Sequence, residues 1–503
     1  MTAQTDIAAG YASEGAALEL GAVLVDGTVD PAARVRVPLA TLNRHGLVAG
    51  ATGTGKTKTL QLVAEQLSAA GVPVVMADVK GDLSGLSQPG AANDRVTARA
   101  ADTGDDWRPA AFPVQFLSLG TGGSGVPVRA TITSFGPILL AKVLGLNDTQ
   151  ESTLGLIFHW ADQRGLPLLD TKDLRSVITH LTSEEGKADL KGLGGVSSAT
   201  AGVILRSLVN LEAQGGDTFF GEPELDPRDL MRVTDGHGVV SLLELAELQS
   251  KPALFSTFLM WLLAELFQEL PEEGDLDKPK LVFFFDEAHL LFADASKAFL
   301  EQITQTVKLI RSKGVGVFFC TQLPTDVPNS VLSQLGARVQ HALRAFTPED
   351  QAALAKTVKT YPTSPHYDLE KALTSLGIGE AVVTVLSEKG APTPVAWTRL
   401  RAPRSLMDTI GADAIKQAAA ASELNGKYAG TIDRESAYEK LAAKVAPPAE
   451  APPPQQEPER AEEPSVVEKV LGNSAVKSFL RSAASALGRE ITRGIFGTAR
   501  KRR

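Results

Sequence analysis

Two stretches of this chain, Leu281-Val282-Phe283-Phe284-Phe285 and Gly316-Val317-Phe318-Phe319-Cys320, are apolar with no polar residue in alternation. A strand with one wet face alternates, so an unbroken run reads as a strand buried on both faces, the usual state in a mainly parallel sheet covered by helices. Other runs extend the series: 16–25 and 33–37 around the turn dipeptide Asp26-Gly27, Leu47-Val48-Ala49, 72–78, 238–243, 338–343 and 380–386. Helical spacing fills the intervals. Leu60, Val63, Ala64 and Leu67 fall at i, i+3, i+4 and i+7, and 252–270 and 296–312 read as further helices. Strands alternating with helices predict an α/β fold with a mainly parallel sheet.

The rhythm breaks in three places. Residues 91–235 hold one strand, 113–119, among helical stretches at 137–146, 149–163, 172–181 and 199–213, and read as a mostly helical insertion. Residues 401–445 read as a C-terminal helical extension. From 446 to 464 the chain is rich in Pro, Glu and Gln, an extended linker stiffened where prolines cluster. Beyond it, 465–503 is a basic amphipathic tail, with Val466, Val470, Phe479 and Leu480 at helical spacing and Arg500, Lys501, Arg502 and Arg503 at its end. The expected organisation is a short N-terminal β segment (1–45), a core split between 46–90 and 236–400, the insertion, the extension and a flexible C-terminal tail.

Composition narrows the class. The 503 residues are 43% hydrophobic and 22% charged, close to globular averages, and enough to bury a sizeable core. A formal charge of −9 argues against a uniformly basic coat for nucleic acid, although a groove or ring can be locally basic on an acidic protein. The single cysteine, Cys320, excludes an internal disulfide framework and a cysteine-based zinc module, and it fits a reducing compartment. Residues 1–20 have neither the basic start nor the apolar core of a signal peptide. The most apolar helix, 252–270, is interrupted by Ser256, Thr257, Glu265 and Gln268 and falls short of the ~20 apolar residues that span a bilayer. The expected location is cytoplasmic.

Candidate chemistry begins at Gly50-Ala51-Thr52-Gly53-Thr54-Gly55-Lys56-Thr57, which matches G-x-x-x-x-G-K-[ST] at every fixed position. The glycines let successive N–H groups approach a triphosphate, Lys56 reaches the β- and γ-phosphates, and the Thr57 hydroxyl suits Mg²⁺. A strand before the loop and a helix after it supply the required context, with the helix N-terminus aimed at the phosphates. The second half of the site is Asp286-Glu287-Ala288-His289, at the end of a buried strand. Asp286 fits the acid that holds Mg²⁺ opposite Thr57, and Glu287 the carboxylate that orients the attacking water. The alternative for Glu287 is a helix N-terminal acid that favours the dipole. Gln322, ending the strand expected to lie between these two, is a sensor of the γ-phosphate or a turn cap. Asp78, Lys80 and Asp82 follow another strand end, where α/β proteins place their chemistry. Arg44 and His45 are read as close to the nucleotide or as a solvated loop, and Arg338 and Arg344 as phosphate contacts or surface charges.

Together Asn43-Arg44-His45-Gly46-Leu47-Val48-Ala49-Gly50, Asp78-Val79-Lys80-Gly81-Asp82, Asp286-Glu287-Ala288-His289 and Thr321-Gln322 resemble the HerA/FtsK superfamily of P-loop ATPases, in particular its bacterial HerA-like (YjgR-type) branch. The likeness covers roughly residues 33–400. It implies a RecA-like P-loop NTPase fold, ATP and Mg²⁺ as ligands, and a homo-oligomer, often a hexameric ring, that couples hydrolysis to movement of double-stranded DNA or another polymer. It also implies an arginine acting on the adjacent subunit's ATP, which falls on Arg311; the other reading of Arg311 is a cap on its own helix. Family members that dock a nuclease do so through a large N-terminal β-barrel, for which the residues before the loop are too few. The letters Asp-Glu-Ala-His also occur in DEAH-box helicases, but those carry two RecA-like lobes, and one P-loop is present here. Two functions follow: a DNA translocase or helicase-like motor, or a nucleotide-switched scaffold ATPase whose basic tail contacts a protein partner or a membrane surface.

Overall fold

The structure is a computed structural model that describes residues 2–78, 81–190, 194–213, 216–244, 252–274, 276–293 and 295–445. Its strands are β1 (Ala17–Val25), β2 (Thr28–Pro38), β3 (Gly46–Ala49), β4 (Val74–Asp78), β5 (Val114–Leu119), β6 (Val126–Val128), β7 (Val233–Thr234), β8 (His237–Gly238), β9 (Val240–Glu244), β10 (Leu281–Phe285), β11 (Val315–Thr321), β12 (Ala337–Gln340), β13 (Glu380–Thr384) and β14 (Ala396–Leu400). All but the β7–β8 hairpin join one 12-stranded sheet, in the order β2-β1-β14-β13-β12-β3-β11-β10-β4-β9-β5-β6. From β12 through to β6 each neighbouring pair runs parallel. The remaining strands, β13, β14, β1 and β2, extend it as an antiparallel wing.

The unbroken apolar runs follow from this position. In β10, Phe283 and Phe285 enter one core while Val282 and Phe284 enter the other, because successive side chains leave opposite faces of a strand. In β11, Phe319 lies opposite Phe285 and Phe318 opposite Phe284, each ring pair 5.3 Å apart between centroids. The first core is roofed by helices of residues 132–213 together with Pro252–Glu269 and Lys297–Ile310. The second is closed by the helix Lys56–Ala69, through Leu60, Val63, Ala64 and Leu67, and by side chains of β1 and β2. Burying each phenylalanine is worth about 2–3 kcal/mol, so a polar substitution in β10 or β11 strikes two layers at once.

Three expectations change. Residues 91–235 are mostly helical and hold the expected strand as β5, but they are not inserted apart from the sheet, since β5 and the short β6 complete its far edge and the helix Asp94–Thr103 packs near the other wing. The sheet does not finish with residues 380–386, because β14 follows and pairs with β1. Its side chains alternate, and Arg399 is satisfied by Glu380 and Asp102, each 3.0 Å away, so this strand lacks the apolar run that marks the central ones. The N-terminal β segment is the outer part of the same sheet, with Gly21 so close to β14 that a Cβ there would stand 2.0 Å from the Arg399 carbonyl oxygen.

Residues 1–441 make up one compact unit. Of the second, 442–503, the structure describes only 442–445, the end of the helix Ala437–Val445; the expected linker and basic tail lie outside the described residues.

Candidate functional site

β3 passes directly into the glycine-rich loop, which is tied to both neighbouring strands. The Gly50 N–H donates to the Thr321 carbonyl at 3.2 Å, and the Ala51 N–H to the Ala342 carbonyl at 2.8 Å. Gly50, Gly53 and Gly55 have φ of +150°, +81° and +112°, a region that disfavours residues with a Cβ. At Gly50 space is limiting too, for a Cβ would stand 2.5 Å from that of His341. Thr54 Oγ1 closes the loop by donating to the Ala51 carbonyl at 2.7 Å. Lys56 Nζ donates to the Gly50 and Ala51 carbonyls at 2.6 and 3.2 Å, which holds the ammonium over the loop. Lys56, Thr57 and Lys58 open the 14-residue helix Lys56–Ala69, so their N–H groups and the positive end of its dipole face the same place.

Asp286 follows β10. Its Oδ1 accepts the Glu287 N–H at 2.9 Å. Burial, and then the adjacent Glu287 charge, push its carboxyl above the ordinary carboxylate range, while the Cys320 thiol and the Lys56 ammonium oppose that rise. Burial and Asp286 in turn push the Cys320 thiol well up. Lys56 and Asp286, remote in the sequence and both half-buried, are therefore brought together beside the buried Cys320. Among the described residues no three His, Cys, Asp or Glu side chains converge into a metal cage. The hard oxygens of Thr57 and Asp286 fit instead an ion such as Mg²⁺, which takes few protein ligands.

Glu287 has φ +48°, unusual for a residue with a side chain. The next N–H, of Ala288, reaches back to the Cys320 carbonyl at 2.8 Å. Glu287 Oε2 faces His289 Nδ1 at 3.4 Å, and neither atom makes a hydrogen bond among the described residues. The short helix here is His289–Phe292 with Ala288 as its cap, so Glu287 stands ahead of the cap. Gln322 follows β11, between β3 and β10, with an exposed side chain. It is not the turn cap: Asp326 Oδ2 accepts from Thr321 Oγ1 at 2.7 Å and from the Leu323 N–H at 2.9 Å.

Other candidates separate. Asp78 is buried and shapes its own loop, accepting the Gly81 N–H at 2.7 Å and the Leu83 N–H at 3.1 Å. Asp82 lies near Lys58, whose pKa is lowered chiefly by burial and raised by Asp82, Asp408 and Asp78. Lys80 falls outside the described residues. Arg344 flanks the loop, with Nη2 3.5 Å from the Thr52 carbonyl. Arg338 sits lower on β12, opposite Leu47, where it donates to the Thr360 carbonyl at 2.9 Å and covers the Tyr361 ring.

Arg44 and His45 are not beside the loop, for they precede β3 and so stand at its opposite end. His45 is buried there as a bridge: Nδ1 accepts the Val317 N–H at 3.0 Å and Nε2 donates to the Val307 carbonyl at 2.7 Å. Burial lowers its pKa to about 4, with the Arg311 charge contributing. Arg311 shares that end, exposed, at the C-cap of the helix Lys297–Ile310.

Two groups at the loop escaped the sequence reading. His341 was placed inside a strand expected over 338–343, but β12 ends at Gln340, which puts His341 at a carboxyl strand end like Asp78 and Gln322. Gly379 donates its N–H to the Thr54 carbonyl at 3.2 Å and is held from behind by Arg99, which donates to the Gly379 carbonyl at 2.8 Å. No local pattern marks that contact.

The family model for the helicase HerA-like C-terminal region matches residues 25–503. Among solved structures, the bacterial conjugative coupling protein TrwBdeltaN70 in an unbound form superposes with a TM-score of 0.53 at 16% identity, over 82% of this chain and 95% of its own. TrwB in complex with the non-hydrolysable ATP analogue ADPNP gives 0.51 at 15%, over 79% and 99%. TrwB with ADP and Mg²⁺ gives 0.50 at 15%, over 81% and 95%. At such identities the likeness is one of fold. No curated protein sequence matches the chain significantly.

Proposed function

Because this chain belongs to the helicase HerA-like C-terminal family, we propose that it is an ATP-hydrolysing motor that assembles into a ring and moves double-stranded DNA. The observation that carries the ATPase part is the meeting of Lys56, at the start of the helix that follows β3 and the loop, with Asp286 at the end of β10. Lys56 exchanges its two neutral carbonyl acceptors for ionised phosphate oxygens, so that both partners of the bond carry charge. Loop N–H groups and the helix N-terminus take the remaining phosphate charge. Thr57 and Asp286 would hold Mg²⁺, which when bound neutralises charge on the phosphate oxygens. Glu287, beside Asp286 with a left-handed backbone, orients the attacking water and accepts its proton. Gln322, between the two halves, senses the γ-phosphate. Arg311 lies at the far end of the sheet, and its role is to serve the neighbouring protomer's ATP.

The DNA and ring parts rest on the family, and we place the protein in the cytoplasm. The test is ATP turnover of the full chain with and without duplex DNA, run beside native mass measurement. DNA-stimulated turnover from an oligomer, abolished in Lys56→Ala, is the expected result. Near-normal turnover in Lys56→Ala would overturn the phosphate-loop assignment. Turnover indifferent to DNA but changed by a protein partner would replace the motor with a nucleotide-switched scaffold.

A further inference from the structure

His341 is 0% exposed and has no role in the hydrolysis scheme, yet it bonds to the strand that enters the glycine-rich loop and to the helix that leaves it. Its N–H donates to the Ala49 carbonyl at 2.7 Å, and the Ala51 N–H donates to the carbonyl of its neighbour Ala342 at 2.8 Å, so residues 341–342 prolong the β12–β3 ladder into the loop. Its Nε2 lies 2.9 Å from Thr59 Oγ1, on the first turn of the loop's helix, and that hydroxyl is 3.3 Å from the Gly55 carbonyl. His341 packs against both ends of the loop: Cβ atoms built at Gly50 and Gly55 would stand 2.5 and 3.6 Å from His341 Cβ and Cε1. We propose that His341 is the positioning residue that holds the glycine-rich loop and the first turn of its helix in register for phosphate, by bridging the end of β12 to Thr59.

Burial and the Lys56 charge lower the His341 pKa to about 4, so near neutral pH the ring is uncharged and adds no second cation to compete with Lys56 for phosphate. The Glu380 and Thr54 backbone carbonyls face the ring. Thr54 also accepts the Gly379 N–H, so His341 lies between the loop and the turn that leads into β13. Pre-organising a phosphate site in this way acts on nucleotide affinity more than on the chemical step, because the reacting oxygens are handled by Glu287.

This inference rests on the nucleotide-binding part of the proposed function. Binding of the non-hydrolysable analogue ADPNP, ATP KM and kcat, and melting temperature are measured for the full-length chain and for His341→Phe, His341→Gln, Thr59→Val and the His341→Phe/Thr59→Val double variant. Loss of the bridge is expected to weaken ADPNP binding and raise KM roughly tenfold in His341→Phe and Thr59→Val, with kcat within about threefold. The double variant should be no weaker than the worse single one, since both remove the same bond. His341→Gln, which can still bond Thr59, should recover most of the affinity. Unchanged ADPNP binding in both single variants, or additive losses in the double one, would overturn the proposal. If His341→Phe does not fold, Thr59→Val and His341→Gln decide it. Parent protein that fails to bind ADPNP would defeat the proposed function itself, a result distinct from parent and variants binding alike.

Discussion

Glu287 shows how a single backbone angle ties stability to chemistry. At φ +48° an L-residue crowds its own carbonyl, at a cost of roughly 1–2 kcal/mol, which glycine would avoid. The angle is imposed by its neighbours, because Asp286 Oδ1 takes the Glu287 N–H while the Cys320 carbonyl takes the next one. Strain of this kind at a strand end accords with a functional carboxylate rather than an ordinary helix-start acid. Glu287→Gly and Glu287→Ala both remove the carboxylate and should lose turnover by about a hundredfold or more. They should part in stability: the glycine variant is expected to be about 1 kcal/mol more stable than the alanine one by chemical denaturation. An alanine variant of equal or greater stability would show that the left-handed angle relaxes when the side chain is removed.

At the scale of elements, the helix Lys56–Ala69 is buried on more than its apolar stripe. The extended segment following β14 crosses it, and Glu65 receives the Arg404 N–H at 2.9 Å and the Ser405 N–H and hydroxyl at 3.2 and 3.0 Å. Gln61 Nε2 adds bonds of 2.8 Å to Ser405 Oγ and to the Leu406 carbonyl. Burial outweighs these donors and the Arg404 charge, and raises the Glu65 pKa from 4.5 to about 7. A raised pKa means that the folded chain binds the proton more tightly than the unfolded chain does. The resulting stabilisation is full below pH 4.5 and is lost as pH rises through about 7. Measured as the difference from Glu65→Gln, the stability of the parent should therefore decline across that window, by up to roughly 3 kcal/mol. Denaturation of both proteins at about pH 5 and about pH 8 checks it; a difference that does not change with pH would show that Glu65 titrates as an ordinary carboxylate.

Across the whole molecule, the glycine-rich loop and Arg311 lie at opposite ends of the parallel strands. Thr321, the end of β11, is level with Ala49, whereas Arg311 precedes the start of that strand. At ~3.3 Å per residue the separation is on the order of 20 Å, too far for Arg311 to reach its own chain's phosphates. An arginine so placed either caps its own helix or serves a neighbour in a ring. Arg311→Ala should lose on the order of 10³-fold or more in turnover. Mixing it with Glu287→Gln protein should restore part of the activity, because some interfaces then pair an intact Glu287 with an intact Arg311. Full activity of Arg311→Ala alone, or normal turnover from a monomer, would leave it a surface arginine.

The sequence by itself determined the central part of this protein. Unbroken apolar runs identify strands buried on both faces, since only burial tolerates them, and G-x-x-x-x-G-K-T between a strand and a helix specifies a phosphate loop from local chemistry alone. Asp286 and Glu287 were legible as acids following such a run, which is where the structure places them. What depended on contacts between distant segments was decided only by the tertiary structure. β14 and β1 were hidden as sheet partners because Arg399 and its acids replace an apolar pattern, and β6 because three residues are too few to show a period. Whether His45 or His341 stands at the loop turned on where β3 begins and β12 ends, since parallel strands put their chemistry at one end only. Both histidines are buried and uncharged near neutral pH, yet one bridges the sheet far from the phosphates while the other supports the loop that would hold them.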